Sequence, residues 1–336
     1  MNDLETPQRK APAESRRHSV AVVRGALSRR ATGFLLFAVL SVLLFLKPFI
    51  GLVRHALTDD VSSYILLVPF ISGYLVWSKR HDLSRKPGIS RRPPALPLFT
   101  AVLALAGYGI VVGQAQRFSP NDYLSLTTFA FVCLLVSGGV LFFGSALVRA
   151  VAFPIGFLFL MVPLPGFVIE SMTGFLQHAS AEASYALLKL SGTPVFREGL
   201  VFRLPGINIE VAEECSGIRS TLVLLITSLL AGYLFLKSPW RRTVLLLAVV
   251  PLGVLRNGFR IFTIGMLCAH VGPEMIDSPL HRRGGPVFFV LSMVPLFLLL
   301  VWMRRSERRS ATEATSGEQQ DRRAVNQPRD SEAARS

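Results

Sequence analysis

Apolar residues in this chain come in long, nearly charge-free runs, the pattern of helices that cross a bilayer rather than of helices half-buried on a soluble core. Eight such runs are predicted as spans, at about 31–52, 62–78, 94–113, 123–147, 150–167, 216–236, 243–268 and 285–303. Each is near the roughly 20 residues that cover a hydrocarbon core of about 30 Å. The second and fifth are short and contain prolines (Pro69; Pro154, Pro163 and Pro165). The first is too long for the apolar region of a signal peptide and lacks a small-residue cleavage site, so it reads as a retained signal anchor. The predicted fold is an all-α polytopic membrane protein of about eight transmembrane helices, occupying residues 31–303.

One connection is much longer than the rest, from about 168 to 215. Its first half repeats apolar residues at helical spacing (Met172, Phe175, Leu176, Ala179, Ala183, Ala186, Leu187) and predicts an amphipathic helix along the outer membrane surface. Its second half, VFREGLVFRLPGINIEV (195–211), mixes β-branched residues with Gly and Pro and predicts a small hairpin-like element. The flanks, residues 1–30 and 304–336, carry no apolar period and are expected to be disordered. No internal repeat is visible.

Composition agrees with the pattern: 51% hydrophobic, 17% charged and a mean hydropathy of +0.47, against about 25% charge in a soluble domain. A net charge of +15 and a pI of about 10.6 invite a nucleic-acid reading, but the basic residues lie in tails and connecting loops, not on a compact domain. With the N-terminus inside, 25 Lys and Arg fall in inside segments and 7 in outside ones. That asymmetry follows the positive-inside rule and predicts cytoplasmic N- and C-termini. No nucleic-acid partner is expected. Three cysteines (Cys133, Cys215, Cys268) are too few, and too apolar in setting, for a disulfide scaffold or a zinc site.

Three short stretches carry candidate chemistry. VAEECSGIRS (211–220) sets Cys215 where the long outer loop enters a membrane helix. A helix N-terminus draws a thiol toward thiolate, Glu213 and Glu214 oppose that shift, and a small buried hydrophobe is the plainer role for a free cysteine. LGVLRNGFRIFTIG (252–265) places Arg256 and Arg260 four apart on one helix face inside an apolar run. An arginine in the bilayer costs about 2.5–3.5 kcal/mol on insertion scales and is a functional candidate by default, though it can simply bind carbonyls or water. DSPLHRRGG (277–285) puts His281 just before the last span, on the same outer side. Thiol, base and fixed cation are the parts that acyl transfer through a thioester requires. Cys268, near His270, is the rival nucleophile; Cys133 lies mid-span and reads as structural; His178 reads as interfacial.

EECSGIRS, RNGFRI and LHRRGG in that order, followed by an apolar span, resemble the exosortase/archaeosortase family of membrane-embedded cysteine transpeptidases. FPIGFLFLMVPLPG (153–166), LQHASAEASYALLKLSGTPVFREG (176–199), LPGINIEVAEECSG (204–217) and DDVSSYILLVPFISGYLVW (59–77) extend the resemblance over roughly residues 35–303. It implies Cys215 as nucleophile, Arg260 and His281 as its partners, and Arg256 as a second arginine candidate. It also implies a multi-pass plasma-membrane protein with an extracytoplasmic site and exported protein substrates. The sequence carries no metal, nucleotide or haem motif, and no cofactor is expected. Such substrates end in a sorting signal made of a Pro-Glu-Pro-like motif, a transmembrane helix and a basic cluster. One departure is visible: where relatives often read Ser-His-Gly, Ser63 is followed by Tyr64 and Ile65. No soluble domain is expected after the last span. Two other classes fit the residues alone, a transporter of lipid-linked saccharides with Arg256 and Arg260 on a phosphate, and a non-catalytic assembly factor docking a partner on loop 168–215.

Overall fold

The computed structural model describes residues 13–59, 61–80, 95–205, 207–278 and 284–333. It is all-α apart from one small sheet, and two compact units divide it, Met1–Gly166 and Phe167–Ser336. Five helices are long and apolar enough to cross a membrane, or up to seven if each bent pair counts as one span. A shorter apolar helix covers residues 63–78, and the expected eight is not reached by length and apolarity alone.

In the first unit, α1 (Ala13–Leu44) and α2 (Leu46–Thr58) split the first expected span with a 72° bend. Pro48 has no N–H for the Leu44 carbonyl, and the Tyr108 hydroxyl donates to that carbonyl instead, at 3.1 Å. The second expected span is a 3₁₀ turn, Ser63–Leu66, followed by α3 (Val68–Ser78), whose 11 residues rise only about 16 Å. α4 (Ala95–Gly113) packs on α5 (Pro120–Phe143) and exposes Leu96, Phe99, Val102, Leu103 and Ile110, a surface suited to lipid. α6 (Ser145–Ala150) and α7 (Ala152–Leu158) are short. The Pro-rich turn after them is pinned to α5: Asn121 Nδ2 donates to the Leu164 carbonyl at 2.7 Å, and Ser125 Oγ to that of Pro163 at 2.8 Å.

The second unit opens with α8 (Gly166–Leu190), the expected amphipathic helix, whose buried stripe is Leu176, Gln177, Ser180, Ala181, Ser184 and Leu188. The hairpin-like element has three strands rather than two. β1 (Phe196–Glu198), β2 (Val201–Leu204) and β3 (Ile207–Glu210) pair antiparallel in that order, with Phe202 opposite Ile209. Gly199, at φ +63°, makes the tight turn between β1 and β2. α9 (Ile218–Phe235), α10 (Pro239–Leu247), α11 (Val249–His270) and α12 (Gly285–Ala333) follow. Phe202, Leu204, Ile209 and Val211 pack with Ile261, Ile264 and Cys268 of α11 in one core, while Leu224, Leu245, Val249, Leu296 and Leu300 join α9, α10, α11 and α12 in another.

At the flanks, α1 begins at Ala13 within the basic head, and α12 continues to Ala333. Both stretches are rich in Arg and Ala, and the second also in Glu, helix formers that satisfy their own backbone locally.

Candidate active site

The chain leaves β3 and turns sharply into α9, with Cys215 at the corner. Val211, fully buried, extends the pairing by donating its N–H to the Leu200 carbonyl at 3.0 Å, and its own carbonyl accepts from Gln177 Nε2 of α8. The next residues tighten into a 3₁₀ turn, Glu213–Cys215, closed by Cys215 N–H to the Ala212 carbonyl and Ser216 N–H to that of Glu213, both 2.9 Å. Gly217 then adopts φ +75°, the left-handed conformation that only glycine takes without strain, and α9 begins at Ile218. The result is a strand–turn–helix corner that presents a half-buried thiol beside a helix N-terminus.

α11 holds this corner from the side. Asn257 Nδ2 donates to the Cys215 carbonyl at 2.5 Å, and Arg256 Nη2 donates to the Gly217 carbonyl at 3.0 Å. Thr221 Oγ1 reaches the same Gly217 carbonyl at 2.9 Å. Arg256 is only 8% exposed, and its Nη1 is buried without a hydrogen-bond partner among the described residues. An unpaired buried donor costs about 1–3 kcal/mol, more for a charged group. The fit is close enough that a Cβ on Gly217 would lie 2.6 Å from Arg256 Nη2 and 3.0 Å from Asn257 Cγ.

The other predicted residues distribute as follows. Arg260 lies on α11 one turn beyond Arg256, on the same face and half-buried. His281 lies outside the described residues, which stop at Ser278 and resume at Gly284. Cys268 is buried in the apolar core under the sheet, Cys133 is within α5 of the first unit, and His178 is exposed on α8 with Nδ1 at 2.8 Å from the Gly174 carbonyl. Sequence reasoning underrated Gly217, Asn257 and Gln177. The first two stand inside the quoted CSG and RNGF stretches; Gln177 announces itself only as a polar residue on an apolar stripe.

A second polar group, in the first unit, has the residue types of a hydrolase triad but not its geometry. Ser62 Oγ lies 3.1 Å from His55 Nε2 and 2.5 Å from Asp59 Oδ2. Asp59 faces that same Nε2 at 3.5 Å rather than orienting the ring through Nδ1, and its other oxygen accepts the Val61 N–H. Ser62 is nearly fully buried, so the cluster caps the end of α2.

The depth of the Cys215 corner along the helices can be measured. α10 and α11 together run 32 residues, Pro239–His270, about 48 Å. At one end Arg241 Nη1 donates to the Met303 carbonyl at 2.6 Å, and Glu307 accepts from the Lys237 and Ser238 N–H groups at 3.0 and 2.8 Å, a polar band. The small sheet packs on the far end, against Ile261, Ile264 and Cys268. Strands with open edges do not survive in hydrocarbon. α9 starts at the corner and its 18 residues run about 27 Å toward that polar band, close to one hydrocarbon thickness.

Helices long and apolar enough to cross a membrane, with a cysteine-bearing corner held by polar side chains at one of their junctions, define a polytopic membrane protein. The family model described as Transmembrane exosortase (Exosortase_EpsH) matches residues 55–298, and the chain belongs to that family. The match carries a membrane-embedded, exosortase-type function in general, and its span includes Cys215, Arg256, Arg260 and His281. No curated protein and no solved structure matches the chain.

Proposed function

We propose that this protein is a cysteine transpeptidase that cleaves the C-terminal sorting signal of exported proteins at the extracytoplasmic face of the plasma membrane. The observation that carries the reading is the Cys215 corner itself, a half-buried thiol at a helix start with Arg256 and Asn257 on its backbone. Its level supports the side: the corner stands roughly one hydrocarbon thickness from the basic Lys237–Arg242 segment, and basic segments of this kind are cytoplasmic.

In the proposed reaction the Cys215 thiol gives its proton to His281, and the thiolate attacks the scissile carbonyl. Arg260 stabilises the oxyanion. The tetrahedral species collapses to a thioester as the peptide C–N bond breaks, and the leaving amine takes the proton from His281. An acceptor amine then attacks the thioester and frees the thiol. No cofactor takes part. The substrate class is an exported protein ending in a Pro-Glu-Pro-like motif, a transmembrane helix and a basic cluster.

Co-expression with a tagged substrate of that class tests the proposal, scored by loss of its C-terminal helix. Cys215→Ala abolishes processing while the protein still inserts. Processing that survives Cys215→Ala rejects the reading and favours a transporter or an assembly factor. A membrane-impermeant maleimide added to intact cells labels Cys215; labelling only after permeabilisation would put the thiol on the wrong side.

A further inference from the structure

Two arginines share a face of α11, and the structure separates their surroundings. Arg256 is the deeper: its Nη2 is committed to the Gly217 carbonyl and approaches Thr221 Oγ1 at 3.5 Å. Its neighbour Asn257 is fully buried and committed to the Cys215 carbonyl. Both bonds end on the backbone of the turn that carries the thiol, which leaves these two side chains directed at the corner and not at a reacting group. Gly217 lies two Cα steps, at most about 7.6 Å, from Cys215, so the guanidinium is anchored on the same turn as the thiol. Gly217 accepts that contact only because it lacks a Cβ. Gly253, one turn before Asn257, allows the same approach to Thr221, with an added Cβ 2.8 Å from Thr221 Oγ1.

We infer that Arg256 and Asn257 are positioning residues for Cys215: they lock the Cys215–Gly217 corner in its left-handed form and place a fixed positive charge behind it, leaving Arg260 for the substrate. The inference rests on the thiol chemistry proposed above and assigns a role to residues on which that chemistry does not directly run. Arg256 acts on the nucleophile in the free protein, before substrate arrives, whereas a substrate-facing arginine acts only in the complex.

That difference is measurable without substrate. The full-length protein in lipid nanodiscs is treated with iodoacetamide across pH, and alkylation at Cys215 is followed by peptide-resolved mass spectrometry. Arg256→Gln moves the alkylation midpoint up by about one pH unit, tenfold less thiolate at neutral pH, and lowers kcat for processing at unchanged KM. Arg256→Lys keeps the charge but not the planar fork, so its midpoint stays at the wild-type value while kcat falls about tenfold. An Arg256→Gln midpoint equal to wild type, or a variant with raised KM and intact kcat, overturns the inference and returns Arg256 to substrate binding. Should Arg256→Gln fail to fold, Arg256→Lys decides alone: wild-type kcat overturns the positioning role. Because alkylation needs no processing activity, it succeeds or fails separately from the Cys215→Ala test.

Discussion

The two units spend their crossing polar bonds on different junctions. In both, hydroxyls fold back onto their own helix: Ser41 Oγ to the Phe37 carbonyl at 2.8 Å and Thr127 to that of Tyr123 at 2.7 Å in the first, Thr227 to that of Val223 at 2.8 Å and Thr263 to that of Phe259 at 2.7 Å in the second. Such bonds satisfy a helix in lipid without asking anything of its neighbours. In the second, Gln177, Arg256 and Asn257 reach from one element to the backbone carbonyls of another, at Val211, Gly217 and Cys215. A cross-element bond commits two segments to one geometry, and all three of these converge on the stretch from the end of β3 to the start of α9. Local bonds satisfy a helix; crossing bonds fix a junction. Asn121 and Ser125 do the latter in the first unit, where the crossing bonds pin a proline-rich turn rather than a thiol.

The contrast can be broken or sharpened by substitution. Gly217→Ala has the largest expected effect, because it combines a left-handed φ with a Cβ 2.6 Å from Arg256 Nη2. Processing of a tagged substrate should fall more than about 100-fold, since misplacing reacting groups by 1 Å can cost that much. Gly258→Leu comes next. Its Cβ would lie 2.7 Å from Ala183 Cβ and 3.2 Å from the Ser180 carbonyl, forcing α8 and α11 apart. Overpacking of this kind destabilises by about 3 kcal/mol, read as a lower Tm in detergent. Gln177→Ala leaves the buried Val211 carbonyl without that donor, and a loss of about 1–3 kcal/mol is expected, with processing reduced but present. Thr127→Val, more deeply buried but bonded only within α5, should change stability by less than about 0.5 kcal/mol, read as a small shift in Tm, and leave processing at the wild-type rate. A Thr127→Val effect as large as that of Gln177→Ala would erase the distinction between local and crossing bonds.

The class of the protein was legible along the chain because transfer into hydrocarbon is a local, additive property of consecutive residues. α4, α5, α9, the α10–α11 rod and the apolar part of α12 lie where the hydropathy runs predict them. The same local logic placed Cys215 at a helix entrance and put Arg256 and Arg260 on one face. What hydropathy does not show is the bend within the first span: Pro48 removes one helical hydrogen bond, and the distant Tyr108 hydroxyl donates to the freed Leu44 carbonyl.

Which arginine reaches the cysteine corner could not be read from spacing, since positions 256 and 260 are equivalent on a helical wheel. Arg256 and Gly217 lie 39 positions apart, and their contact depends on how α8, the sheet and α9 stack against α11. The third strand and the stripe that Gln177 completes have the same origin. Residue chemistry and helix period are fixed by neighbours in sequence, so the chain alone determined a helical membrane protein and its candidate thiol. Partners across elements are set by packing, which sums over contacts far apart in sequence, and only the tertiary structure decided what holds that thiol in place.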